Sequence, residues 1–366
     1  MSSIIAITGP SGSGKTTLIE KLIPLLRQRG YIPGYVKHSR HQHFFDKKGK
    51  DTARQFTAGA AFTLINSDEA WMFHAPGAFR LEQIPLHPPC DLVLLEGFKD
   101  YEGPRVVCIG LDEPPPEPSA NLLGIQCAHP EQVAALNQSL GEELAFHWDE
   151  SAEEILDLLI PRWIAYNKAK RPLRVAILAG GWSRRMGQDK AGLDFGQGPH
   201  LAYLSQVIQK TTGTQPFVSL RPGQELDLGG LEPIYDRFYD AGPLGGLASL
   251  FMYDSEAAWL VLSADLACLE APVLDELLVH RDPLKLASLL EREGLEPLAA
   301  IYEPRIAPYL QQGILQLKLG LIKLLEGLPV EHVSLPLELW PQLFNANQPD
   351  DIEKAQSYWR GRLASH

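Results

Sequence analysis

Ile4-Ile5-Ala6-Ile7-Thr8-Gly9-Pro10-Ser11-Gly12-Ser13-Gly14-Lys15-Thr16-Thr17 decides the fold of the first half of the chain. Four apolar residues in a row read as a buried strand, and the glycines that follow turn the chain into a helix. The spacing from Gly9 to Thr16 satisfies the phosphate-loop pattern, in which bare backbone N–H groups wrap an anion. Ser11, Gly12, Ser13, Gly14, Lys15, Thr16 and Thr17 are therefore the candidate nucleotide-binding residues. Lys15 supplies a point charge to the β and γ oxygens, and Thr16 offers a hydroxyl to Mg2+. An apolar strand ending in an acid completes such a site. Asp91-Leu92-Val93-Leu94-Leu95-Glu96 fits, with Glu96 at the metal end and Asp91 expected as a cap or surface acid.

A second glycine loop opens the second half. Val175-Ala176-Ile177 leads into Leu178-Ala179-Gly180-Gly181-Trp182-Ser183-Arg184-Arg185-Met186-Gly187-Gln188-Asp189-Lys190. This is not a phosphate loop of the first kind. Gly180 and Gly181 let the backbone lie against a base, ribose or triphosphate, while Arg185 and Lys190 bring two cations to the phosphates. Such a pair suits a pyrophosphate leaving group, whose charge grows in the transition state. Asp265 ends the apolar run Trp259 to Ala264, where open α/β sheets bind ligands, and is the candidate Mg2+ ligand. Asp236 follows Pro233-Ile234-Tyr235 as a base, ribose or second metal-side group. Asn347, in Asn345-Ala346-Asn347-Gln348-Pro349-Asp350, is a phosphate or metal-water contact or a helix cap.

Strands and helices alternate through both halves, the pattern of parallel sheets. Expected strands include 4–8, 34–38, 61–65, 92–95, 105–109 and 123–127, then 216–220, 233–235, 259–263, 286–290 and 297–302. Expected helices include 15–29, kinked at Pro24, and 151–165, then 201–210, 244–251, 272–280, 313–325 and 350–359. The basic stretch Tyr166 to Pro172 divides the chain. Residues 1–166 form one domain, 167–172 the linker and 173–366 the second domain. The fold class is α/β: two three-layer domains, the first like a P-loop NTPase, while the second, through its glycine loop and Asp265, resembles a Rossmann-like nucleotidyltransferase.

The chain has 366 residues, 45% of them hydrophobic, and a formal net charge of −12. That charge argues against a general nucleic-acid or anionic-membrane binder. No apolar run is long enough to span a bilayer. Cys90, Cys108, Cys127 and Cys268 form no metal spacing; three of them lie in or beside apolar runs and read as small buried hydrophobes, and free thiols fit a reducing, cytoplasmic compartment. His38, His41 and His43 lack acid or cysteine partners at metal spacing, so a basic ligand-facing loop is the stronger reading.

These residues carry a resemblance. The phosphate loop, Val36-Lys37-His38, the run from Asp46 to Thr52, the run from Ala58 to Ala61 and Leu92 to Lys99 resemble the molybdopterin-guanine dinucleotide biosynthesis adapter family over about residues 3–165. That resemblance implies a GTP-binding, dimeric protein with weak GTPase activity. The second glycine loop, Asp240 followed by Gly242-Pro243-Leu244-Gly245-Gly246-Leu247, Asp265 and the Asn345 to Asp350 run resemble the molybdenum cofactor guanylyltransferase family over about residues 173–360. There Leu178, Ala179, Gly180, Lys190, Asp236 and Asp265 correspond to GTP contacts, with Asp265 also holding Mg2+. Together the resemblances imply GMP transfer from GTP to molybdopterin carrying molybdenum. Molybdoenzyme apoproteins and other cofactor-biosynthesis proteins are the implied partners. Two alternatives stand beside this reading: a cytidylyltransferase, against which Gly180-Gly181 weighs, and a GTP-switched scaffold with a silent second half. Ala264-Asp265-Leu266-Ala267 and Ser219-Leu220-Arg221 depart from the family's usual motifs.

Overall fold

In the computed structural model, residues 3–38, 90–111, 113–147, 149–181, 192–291 and 294–363 are described, together with 55, 58, 63–66 and 71–74. The first half is built from β1 (Ser3–Thr8), α1 (Lys15–Gln28), β2 (Pro33–Lys37), β3 (Thr63–Asn66), β4 (Trp71–His74), β5 (Leu92–Glu96), β6 (Arg105–Ile109), β7 (Leu122–Cys127), α2 (Pro130–Leu140), β8 (Ala145–His147) and α3 (Ala152–Lys170). Six of these strands form one parallel sheet in the order β2-β5-β1-β6-β7-β8. β3 and β4 pair with each other as a separate antiparallel hairpin. Side chains alternate across the sheet. Ile5, Ile7, Leu92 and Leu94 meet Leu18, Leu22 and Leu26 of α1 and Ile155, Leu156 and Leu159 of α3. On the other face, Ile109, Ile125 and Cys127 are covered by Val133, Leu136 and Leu140 of α2.

α1 is one helix with Pro24 inside it. The proline removes one backbone hydrogen bond, and the buried Leu18, Ile19, Leu22 and Leu26 hold the helix against the sheet. α2 and β8 were absent from the expected elements. α2 buries none of its residues fully, so its apolar period is weak.

The second half comprises β9 (Leu173–Leu178), α4 (His200–Thr212), β10 (Phe217–Leu220), β11 (Pro233–Tyr235), α5 (Gly242–Tyr253), β12 (Ala258–Ser263), α6 (Ala271–Val279), β13 (Ala287–Glu291), β14 (Leu295–Tyr302), α7 (Ala307–Leu315), α8 (Leu321–Leu325), β15 (Glu331–Ser334) and α9 (Asp350–Leu363). Its seven strands run β11-β10-β9-β12-β14-β13-β15, with β14 antiparallel to both neighbours. Val175, Ile177, Leu260 and Leu262 pack under α4 and α6. Ala176, Trp259, Val261 and Tyr302 pack under α5, α7 and α8. The single helix expected over 313–325 is two. Leu317 adopts φ +55° and Lys318 N–H returns to the Gly313 carbonyl at 2.8 Å. The turn brings Leu321 and Leu325 into the core and leaves Leu315 and Leu317 in solvent.

α3 runs on to Lys170, so only Arg171 and Pro172 separate it from β9. The two sheets meet through the amino ends of their strands. Ser3, at the start of β1, donates to the Pro283 carbonyl at 3.1 Å. Tyr31, just before β2, donates its hydroxyl to Asp282 at 2.7 Å. Lys285 lies 3.3 Å from Asp91, donates to the Gly30 carbonyl and sits 4.2 Å from the Tyr31 ring centre. Arg171 reaches the Pro283 carbonyl at 2.7 Å and Glu303 at 3.4 Å. Leu284 is fully buried within the apolar cluster of the first half.

Asp91 is therefore a cap, accepting from Ile32 N–H at 2.8 Å, but not a surface acid, since it is completely buried. Burial pushes its carboxyl up, against the pull of Lys285 and the Ile32 amide. Removing one partner of a buried pair strands the other's charge, so Asp91→Asn is expected to cost about 3–5 kcal/mol. Adding Lys285→Met is expected to restore much of that loss. Urea unfolding of the two variants checks this, and an Asp91→Asn chain as stable as the parent would contradict it.

Candidate functional site

The first loop sits at the carboxyl end of β1. Gly9 has φ +140°, and a Cβ there would lie 2.2 Å from the Cys108 carbonyl oxygen on β6. Gly14 caps α1 with φ +84°. A Cβ on Gly14 would meet the Gln126 amide oxygen at 3.3 Å. Gln126 is fully buried, and that oxygen has no hydrogen-bond partner among the described residues. Its role beneath the loop was not anticipated; the one signal was a lone amide in the apolar run Leu122–Cys127. Ser13 donates to the Pro10 carbonyl at 2.9 Å, and the Lys15 ammonium is folded back on the same carbonyl and on Ser13 Oγ at 3.4 Å.

Glu96 stands where the sequence places it, at the end of β5. Thr16 donates to its Oε1 at 2.9 Å, so the two residues expected at the metal face each other. Hard oxygens so paired suit Mg2+. Two further neighbours come from β2: Tyr35 donates to Oε2 at 2.7 Å, and Lys37 lies 2.9 Å from Oε1. Burial pushes the Glu96 carboxyl up, but Tyr35, Lys37 and Thr16 together hold it below the usual carboxylate range. Ser11, Gly12 and Thr17 are placed on the loop and first helical turn. His38 follows β2, with its ring 5.5 Å from that of Phe98. His41 and His43 lie outside the described residues.

The second site lies at the carboxyl end of the other sheet. β9 and β12 run side by side with Leu178 opposite Ser263, and Ala264 N–H donates to the Leu178 carbonyl at 3.1 Å. This sets Ala179, Gly180 and Gly181 next to Asp265. On the far side, Ala346 N–H donates to the Asp265 carbonyl at 2.9 Å, and Leu266 bridges Asn345. Three candidate segments thus converge: 178–181, 265 and 345–347. Lys190 and Arg185 lie outside the described residues. Gly180 is half-buried, and a Cβ there would touch Arg221 N and Cγ at 3.4 Å. Gln224 braces the loop, donating to the Ala179 carbonyl at 3.0 Å and accepting from Arg221 N–H at 3.2 Å.

Asp236 lies after β11 against the first turn of α5. Its Oδ1 accepts from Phe238 N–H at 2.9 Å and Ser249 Oγ at 3.1 Å. Burial pushes its carboxyl up despite these donors. A Cβ on Gly245 would lie 3.1 Å from its oxygens, so that glycine is required by the acid beside it. Asn347 N–H and Gln348 N–H both donate to Asp351, at 2.9 and 3.0 Å, so Asp351 supplies the cap of α9. Beside Pro243, at the start of α5, opens a cavity of about 1050 Å³ lined by Leu298, Tyr309, Leu321 and Leu328, with Gln312 and Lys318 among its polar groups.

His200, at the start of α4, was also missed. It is buried, Nε2 has no partner among the described residues, and its ring meets Phe195 edge-on at 4.7 Å. Burial depresses its pKa to about 4, against the field of Asp265. A buried imidazole in an apolar helix start has no sequence signature of its own.

Residues 4–122 match the family described as molybdopterin guanine dinucleotide synthesis protein B, and residues 175–332 match the MobA-like NTP transferase domain. Over 137 residues the chain is 36% identical to the molybdopterin-guanine dinucleotide biosynthesis adapter protein of Haemophilus influenzae, across 36% of this chain and 77% of that protein. Over 187 residues it is 32% identical to the probable molybdenum cofactor guanylyltransferase of Opitutus terrae, across 49% of this chain and 92% of the other. A crystal structure of molybdopterin-guanine dinucleotide biosynthesis protein A from Archaeoglobus fulgidus aligns with 51% of this chain and 99% of its own, at TM-score 0.42 and 22% identity.

The depressed His200 pKa fixes a sign for stability against pH. Above about 6.5 the imidazole is neutral in both states. Below that, the unfolded chain takes up a proton that the folded chain refuses until about pH 4, so stability falls as the pH drops through this window. The full loss is roughly 3 kcal/mol at the acid end. His200→Leu is expected to flatten that part of the slope. Urea midpoints at pH 7 and pH 4.5 check it, and an unchanged slope in the variant counts against the assignment.

Proposed function

Because the chain belongs both to the molybdopterin-guanine dinucleotide biosynthesis adapter family and to the molybdenum cofactor guanylyltransferase family, we propose that it transfers GMP from GTP to molybdenum-bound molybdopterin, releasing pyrophosphate. The observation that carries the reading is the meeting of Gly180, Asp265 and Asn345–Asn347 at one sheet edge, through the Ala264–Leu178 and Ala346–Asp265 hydrogen bonds. A terminal phosphate oxygen of molybdopterin forms the new bond to the α-phosphorus of GTP. The bond to the α–β bridging oxygen breaks, and pyrophosphate leaves with that electron pair. No covalent enzyme intermediate is required, so catalysis is positioning and charge neutralisation.

In this reading Leu178, Ala179, Gly180 and Gly181 carry the nucleotide, Lys190 and Arg185 neutralise the phosphates, and Asp265 holds Mg2+. The metal would supply charge to the α- and β-phosphate oxygens. Asp236 orders the α5 turn beside the nucleotide, and Asn347 lies at the phosphate side. The 1050 Å³ cavity next to Pro243 offers apolar room for the ring system of the acceptor. The first half binds GTP through Ser11 to Thr17, with Mg2+ at Thr16 and Glu96. It hydrolyses GTP slowly, assembles as a homodimer and presents the product to apoproteins. We place the domain division at 167–172, within the last turn of α3 and the two residues after it.

Incubating the purified chain with molybdate-loaded molybdopterin, Mg2+ and either GTP or CTP tests the reaction. Dinucleotide and pyrophosphate are expected with GTP, and turnover with CTP alone would overturn the base assignment. Asp265→Asn is expected to lower kcat by about 10²–10³-fold. Calorimetric titration with GTP is expected to show two sites in the parent chain and one in Lys15→Ala.

A further inference from the structure

The surroundings of Glu96 carry an inference about how the first loop takes up its metal. Lys37 and Glu96 are register partners on neighbouring parallel strands, so their side chains are aligned by the sheet itself. The Glu96 side chain is 6% exposed, whereas that of Lys37 is 50% exposed on the edge strand β2. A buried carboxylate needs a counter-charge, and here the ammonium provides it. Its contact is with Oε1, the same oxygen that accepts from the Thr16 hydroxyl. Thr16 and the strand-end acid are the two groups a phosphate loop turns towards its metal. An ammonium and a divalent cation on one carboxylate oxygen repel each other, so the two compete for the place.

We propose that Lys37 is the resident counter-ion of the nucleotide-free loop, and that Mg2+ arriving with the nucleotide displaces it from Glu96. Tyr35 remains on Oε2 through the exchange and keeps the carboxylate aimed at Thr16. Displacement costs little structurally, because Lys37 stands at a sheet edge with solvent beside it. The freed ammonium stays at the carboxyl end of β2, on the phosphate side of the loop. Lys37 is thus a positioning residue that sets how much magnesium the first loop needs for tight nucleotide binding. The inference rests on nucleotide and metal occupying that loop, as read above, but not on GMP transfer.

The test follows a fluorescent GDP analogue bound to the full chain as Mg2+ is raised, with the Lys15→Ala chain measured in parallel and subtracted as second-site background. Lys37→Met removes the competitor and is expected to lower the Mg2+ concentration for half-maximal affinity at least fivefold. Lys37→Arg keeps the charge and is expected to stay within twofold of the parent. Glu96→Gln is expected to abolish the magnesium dependence. Lys37→Gln serves in the same way should the methionine variant fail to fold, as judged by its thermal melt. A magnesium requirement in Lys37→Met or Lys37→Gln within twofold of the parent overturns the proposal. So does an equal shift in Lys37→Arg, since charge would then not be the cause. None of these readouts involves dinucleotide formation, so a failure here and a failure of the transferase reading are separately visible.

Discussion

The amino ends of the parallel strands of two sheets are pressed together, and the rest of the molecule is arranged around that junction. The geometry follows from chain direction. α3 returns from the carboxyl edge of the first sheet to its amino edge, and Arg171-Pro172 is too short to carry the chain anywhere else before β9 begins. The sheets therefore meet back to back, held by Lys285 on Asp91 and Tyr31 on Asp282. Each nucleotide loop then opens at the opposite end of its own sheet. Strands of six residues are about 20 Å long, so the two mouths lie on the order of 40 Å apart.

Much of this was legible in the sequence for a physical reason. β6 and β11 were read to the residue, and β1, β5, β7, β10 and β12 to within a residue or two. Apart from β11, a three-residue edge strand with only Ile234 buried, these are apolar runs inside their sheets, where hydrophobicity alone marks the element. The failures fall where tertiary contacts decide. Leu317 breaks the expected helix over 313–325 by turning through positive φ, a conformation that its side chain does not advertise. Asp91 heads an apolar strand like many surface caps, but Lys285 of the second half lies against it and it is completely buried.

The two sites were legible to different depths. Glycine spacing found the first loop and strand-end acidity found Glu96, because both patterns are local. Tyr35 and Lys37 reach the same carboxylate from another strand, through a register that sequence order does not display. In the second half, Gly180, Asp265 and Asn347 were each picked from separate stretches, and the sheet edge brings their segments together. Gln224 and His200 were missed because a brace and a buried imidazole carry no spacing rule.

Leu284 gives the junction a thermodynamic meaning. A side chain belonging to the second half completes the hydrophobic nucleus of the first, fully excluded from water among Ile5, Leu92 and Leu123. Unfolding of the second half would withdraw Leu284 and open the interior of the first. The shared burial couples the two unfolding events, so a single calorimetric endotherm in place of two is the expected consequence. Severing it between residues 171 and 172 would yield fragments that seek each other out again.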